Sequence, residues 1–153
     1  MTTLAAIGHG NLLQIRDTAA SPDAWVTVAE VTNITPPNLA RDAQEATHTE
    51  STEGWREFIP GLKDAGEVSA ELNFVPDSDT TALLLAQFDS NALTQARILF
   101  ADGDQDASPM TCSTWTFNAV LTGFPPEAPI DGKMSATTTF KISGKPTFVR
   151  ASA

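Results

Sequence analysis

The sequence predicts a mainly β domain, an antiparallel sandwich or barrel of about seven strands with one flanking α-helix. Three observations predict it. Short segments rich in Val, Ile, Thr, Phe and Trp alternate apolar with polar residues, the period of a strand with one buried face. Turn signals punctuate them: Gly8-His9-Gly10, Pro36-Pro37, Asp102-Gly103-Asp104, Pro125-Pro126 and Asp131-Gly132. One stretch alone, about Thr80 to Asp89, has helical spacing, and no strand-helix-strand pattern surrounds it. At 153 residues the chain is one domain, 1–153, long enough to bury a genuine core.

Taken in order, Asn11–Arg16 is a first strand, with Leu13 and Ile15 on one side and Gln14 and Arg16 on the other. A hairpin-like connection, Asp17–Asp23, leads to a second strand over Trp25–Ile34, rich in β-branched residues and stopped by Pro36-Pro37. A third strand is expected near Ala43–Glu50, and a long loop over Gly54–Gly66. The fourth strand, Glu67–Val75, alternates without exception: Val68, Ala70, Leu72 and Phe74 against Glu67, Ser69, Glu71 and Asn73. Pro76-Asp77-Ser78-Asp79 supplies a breaker, candidate N-caps and acids at the positive end of the helix dipole. The helix that follows is short and needs docking to persist. Leu93–Ala101 is a fifth strand, Thr111–Phe124 the sixth, and Lys133–Ser143 the seventh, leaving the last ten residues as a tail. The expected core is Trp25, Leu72, Phe74, Leu84, Phe88, Trp115, Phe117, Leu121, Phe140 and Ile142, each on the apolar side of its element.

The stretch Gly54–Gly66 is the least ordinary part of the chain. It carries Trp55, Phe58, Ile59 and Leu62 among glycines, charges and a proline. A surface loop with four large apolar residues folds back as a cap or covers something else. The run Gly54-Trp55-Arg56-Glu57-Phe58-Ile59-Pro60-Gly61-Leu62-Lys63-Asp64-Ala65-Gly66-Glu67-Val68-Ser69, closing on Leu72-Asn73-Phe74, resembles the signature of the tail tube proteins of phages with long, non-contractile tails. The resemblance implies a small β-sandwich with a flanking helix that forms hexameric rings stacked into a hollow tube for genome delivery. It implies, as partners, further copies of the chain, tail-tip initiator and terminator proteins, and a tape-measure protein and viral DNA inside the channel. It also implies a place in the virion tail, after synthesis in the cytoplasm of the host.

Composition agrees with that class. Nine basic against nineteen acidic residues give a net charge of −10. That argues against a nucleic-acid grip, which needs Lys and Arg gathered against phosphate, but not against DNA sliding past an acidic wall, where repulsion is useful. The single cysteine, Cys112, allows no intrachain disulfide. Met1-Thr2-Thr3-Leu4 lacks the basic start and apolar core of a signal peptide, and no apolar run approaches a membrane span.

No cofactor, metal site or catalytic constellation is expected. His9 and His48 stand in no ligand spacing with Cys112 or a carboxylate cluster. Asp102-Gly103-Asp104-Gln105-Asp106 lacks the sixth-position glycine and twelfth-position glutamate of a calcium loop, and reads as an acidic turn. Cys112 reads as a buried strand cysteine rather than a nucleophile. With the resemblance, the interface reading of the long loop is favoured over the cap. Trp55, Arg56, Glu57, Phe58, Ile59, Pro60, Leu62, Lys63 and Asp64 are the expected subunit contact, because Trp and Arg anchor such contacts and charges set orientation. Glu67, Ser69, Glu71 and Asn73 are the expected channel lining. Two other readings stay open: the tube protein of a type VI secretion or other contractile system, and a monomeric β-sandwich binding module.

Overall fold

The computed structural model describes residues 5–19 and 24–152. Its elements, in order, are β1 (Leu12–Asp17), β2 (Ala24–Thr27), β3 (Val31–Thr35), β4 (Ala40–Glu45), a 3-10 turn (Thr52–Gly54), β5 (Phe58–Asp64), β6 (Glu67–Asn73), α1 (Asp79–Asp89), β7 (Thr94–Leu99), β8 (Thr114–Gly123), β9 (Pro126–Glu127) and β10 (Ser135–Val149). The main sheet runs β2-β1-β7-β8-β10-β6-β3, every neighbour antiparallel, with the short β9 added beside β10. Its first and last strands, β2 and β3, are joined by residues 28–30 alone. That short link draws the two ends of the sheet together, so the sheet curls around its own apolar face. The predicted class, mainly β and antiparallel with one helix, is the observed one.

The core is the inner face of that curl: Leu13, Ile15, Val68, Leu72, Leu84, Ile98, Phe117, Leu121, Phe140 and Ile142 are all buried. The helix starts where expected. Ser78 caps it by accepting the Thr81 N–H at 3.2 Å. Its eleven residues would be marginal alone. Docking secures it: Leu84 enters the core, and the Thr80 hydroxyl accepts the Ala29 N–H at 3.1 Å. At the far end the Thr94 hydroxyl donates to Gln87 Oε1 at 2.6 Å.

Several expectations need correcting. The second strand is two strands, because the chain reverses at Glu30, whose φ is +60°. A run of β-branched residues without Gly or Pro hides that turn; Asn73 stabilises it, donating its backbone N–H to Glu30 O and its side-chain N–H to Glu30 Oε2. The third strand lies at 40–45 rather than 43–50. The sixth begins at Thr114, since Thr111–Ser113 bond back to the acidic turn instead. The expected tail is strand: after an irregularity between Ser143 and Thr147, β10 resumes along β8 to Val149, and Phe148 packs on Trp115 with ring centroids 4.8 Å apart. Phe88 is 53% exposed and not in the core, because Leu84 already occupies the side of α1 that faces the sheet. Trp25, Phe74 and Trp115 are half-buried at its margin, Trp25 beneath the Arg97 guanidinium at 4.2 Å. Residues 20–23 of the expected Asp17–Asp23 connection, and the segment Met1–Leu4, lie outside the described residues.

Phe117 is 2% exposed, so Phe117→Ala removes a full aromatic ring from a closed core and costs about 3–5 kcal/mol. Phe88→Ala, on the solvent side of the helix, stays within about 0.5 kcal/mol of the parent. Urea unfolding of both variants checks the assignment.

Candidate assembly surfaces

The expected long loop is in fact the second strand of an arm. Phe58–Asp64 pairs antiparallel with Ala40–Glu45, through Glu45↔Phe58, Gln44↔Ile59, Ala43↔Pro60, Arg41↔Lys63 and Ala40↔Asp64. These two strands form a sheet of their own, apart from the main one. Pro60 and Gly61 argue against a strand in the sequence. Here they are tolerated because β5 has a partner on one side only, which leaves proline's missing donor without consequence there. Gly61 is required by close approach: a Cβ there would stand 2.9 Å from Asp42 O. The tip is closed by polar contacts. Thr47 Oγ1 accepts the Glu57 N–H at 2.9 Å, and Ala46 N–H bonds to Glu57 O at 2.8 Å. His48 lies 3.5 Å from Glu57 and Arg56 3.9 Å from Glu45, both well exposed.

The large apolar side chains of the arm and its tip are left uncovered by the rest of the chain. Trp55 is 72% exposed, Phe58 54%, Ile59 56% and Leu62 89%. Phe58 and Ile59 are consecutive and project from opposite sides of β5 by the alternation of a strand, and the pairing shifts by one residue between Pro60 and Lys63, beside Leu62. Both sides of the arm are therefore bare. A lone two-stranded hairpin is marginal in water, and these side chains do not fold back over the main sheet as a cap. Of the expected contact residues, the structure groups Phe58 to Asp64 on β5 and sets Trp55, Arg56 and Glu57 beside the tip.

The root of the arm joins it to the main sheet. Gly66, at φ +72°, turns the chain directly into β6; a Cβ there would stand 2.7 Å from Asn38 O. Asp64 Oδ1 accepts the Gly66 N–H at 2.8 Å, and its other oxygen lies 3.2 Å from Lys141 Nζ on β10. Lys141 is a participant that sequence reasoning missed, since nothing local links residues 64 and 141.

β6 keeps the alternation expected of it. Val68, Ala70 and Leu72 are buried, whereas Glu67 and Glu71 are exposed and Ser69 and Asn73 half-buried on the opposite face. Beside them on β10 stand Lys141, Thr139, Thr137 and Ser135, opposite Glu67, Ser69, Glu71 and Asn73 in turn. The outer face of these paired strands is therefore polar, with two carboxylates and one ammonium, the latter engaged by Asp64. A second polar group covers β1 and β7: Arg97 Nε donates to Gln14 Oε1 at 2.7 Å, and Arg16 donates to Gln95 Oε1 at 2.8 Å. Burial pushes the Arg97 pKa below its ordinary value.

Among the described residues, no group of three or more His, Cys, Asp or Glu side chains could hold a metal ion. Asp102 closes its turn by accepting the backbone N–H and hydroxyl of Ser113, which hold its carboxyl below the usual range. Cys112 is buried.

The family described as lambda phage tail tube protein matches residues 12–149. The chain belongs to it. This tail tube protein is a structural component of the virion tube, and its fold recurs across tubes of several kinds. The subunit of the tail of an empty gene transfer agent particle, refined with C6 symmetry, superposes with a TM-score of 0.74 at 18% identity, over 95% of this chain and 99% of that one. A chain of the SPP1 tail tube aligns with a TM-score of 0.69 at 8% identity, over 97% and 80%. One from the baseplate of the anti-feeding prophage aligns at 0.68 and 12%, over 98% of each. No curated protein sequence matches the chain.

The Asp64 anchor makes a pH prediction. The Gly66 N–H, then Lys141, lower its pKa below the ordinary 3.8. A depressed carboxyl contributes stability that is fully present above the unfolded value and lost as pH falls through the folded one. An NMR titration should find the Asp64 midpoint below that of free aspartate. In Lys141→Ala it should rise only part of the way back, because the Gly66 hydrogen bond remains.

Proposed function

We propose that this tail tube protein assembles into hexameric rings that stack into a hollow channel for genome delivery. In that tube Trp55, Arg56, Glu57, Phe58, Ile59, Pro60, Leu62, Lys63 and Asp64 form a subunit contact. The single observation that carries this is the arm, a hairpin with apolar residues on both sides and no core of its own. The C6 symmetry of the gene transfer agent tail, whose subunit has the same fold, supports the ring number. Trp55 beside Arg56 forms an anchor pair of the kind that dominates contact energy. The proposed partners are further copies of the chain and the proteins that start and end the tail, with the tape-measure protein and DNA within the channel. The chain performs no catalysis in this role.

The channel wall, in this reading, includes the outer face of β6, with Glu67, Ser69, Glu71 and Asn73. Carboxylates repel phosphate at short range, and the neighbouring Lys141 is engaged by Asp64. DNA therefore meets few cations to release counterions against, and passes without being held. The match to the lambda tail tube family favours a phage tail over a type VI or contractile system, and a bare two-sided arm is foreign to a monomeric binding module.

Two results test this. Trp55→Ala and Phe58→Ala should fold as the parent does, by circular dichroism and thermal melting, yet fail to polymerise in electron micrographs. Glu67→Lys with Glu71→Lys should leave rings intact and slow genome ejection. Tubes of normal length from either arm variant would remove the arm from the contact.

A further inference from the structure

We infer a second contact between copies, in which the acidic loop after β9 of one copy seats Ile130 in a basic-rimmed groove at the arm root of the next. The inference rests on the self-assembly proposed above. The groove, about 630 Å³, lies between the arm root and the irregular part of β10. Leu39, Ile142 and Pro146 give it an apolar lining, Arg41, Lys63 and Lys145 supply its cations, and its one acid, Asp64, is already engaged by Lys141. Arg41 stands directly opposite Lys63 across the hairpin. Like charges in that position are destabilising. None of the three cations has an ion-pair partner among the described residues. In a chain of net charge −10, an apolar groove rimmed by unpaired cations selects an apolar group flanked by acids.

The loop Glu127–Asp131 is such a group. Ile130 is fully exposed, and its flanking acids Glu127 and Asp131 are unpaired among the described residues. Pro125, Pro126 and Pro129 restrict this backbone, so little conformational freedom is lost on docking. One copy cannot satisfy itself. The loop sits at the Ser135 end of β10, where Glu127 pairs with Ser135, and the groove begins at Ile142. Seven residues of strand separate the two, about 23 Å. A contact that joins opposite ends of the same strand is head-to-tail, the kind that closes into rings or propagates as a stack. The exposed face of α1, with Ala82, Leu85 and Ala86 between Asp79 and Asp89, is the competing acidic apolar surface. That face belongs to a helix, whereas the loop presents one fully exposed side chain, Ile130, on a proline-restricted backbone.

The test combines charge reversal with cross-linking in the full chain. Glu127→Lys with Asp131→Lys, or Arg41→Glu with Lys145→Glu, should each raise the critical concentration for tube formation about tenfold. Combining the four changes should restore most of it. A chain carrying both Leu39→Cys and Ile130→Cys should give a ladder of disulfide-linked oligomers that neither single variant gives. Parent tubes with no ladder, and with charge reversals that change nothing, would overturn this contact while leaving the tube intact. A ladder from Leu85→Cys with Leu39→Cys in place of Ile130→Cys would overturn it in favour of the helix. No association of the parent under any condition would instead remove the self-assembly on which both readings stand.

Discussion

The rest of the structure depends on a backbone constraint at the arm root. β5 and β6 are separated only by Ala65 and Gly66, yet they belong to different sheets. The chain makes that change of direction through a left-handed glycine packed against Asn38 O, with Asp64 clamped by the Gly66 N–H and by Lys141. On one side of the corner, β6 is paired on both edges and buries every second side chain. On the other, β5 has one neighbour and buries none. The corner divides the molecule into a part that completes its own core and a part that does not.

That division explains how apolar and charged residues are distributed. The curled sheet with α1 buries Leu13, Ile15, Leu72, Leu84, Phe117 and Phe140 within the one chain. The arm's apolar side chains add nothing to that core. In the proposed tube their burial comes with assembly, at roughly 1.5–3 kcal/mol for each large side chain. A net charge of −10 keeps such subunits apart until several contacts form together.

The fold class was legible because period-2 alternation is strongest where a strand is central. β6 and β8 could be read residue by residue, and Ser78 stood out as the helix cap. The misreadings came where tertiary pairing overrides local signals. Pro60 and Gly61 look like a loop until β4 supplies the hydrogen bonds. The last ten residues look like a tail until β8 offers an edge to Thr147–Val149. The turn at Glu30 carries no glycine or proline. Phe88 sits near the helix spacing of the core residues, but one buried turn of a short helix leaves it outside. The arm's apolar residues were legible as unusual; that they occupy both sides of a hairpin was not, because strandedness itself was hidden. Lys141 and the groove cations come together only through long-range pairing, which no local pattern encodes.

In the proposed assembly the arm is completed only by another copy. Amide hydrogen exchange across residues 40–45 and 58–64, in the free subunit and in assembled tubes, tests it most directly. These strands should exchange quickly in the subunit, while β6, β8 and β10 are protected in both states, and they should become slow in the tube. Protection of the arm in the isolated subunit equal to that of β6 would contradict the account, for the arm would then be stable without a neighbour.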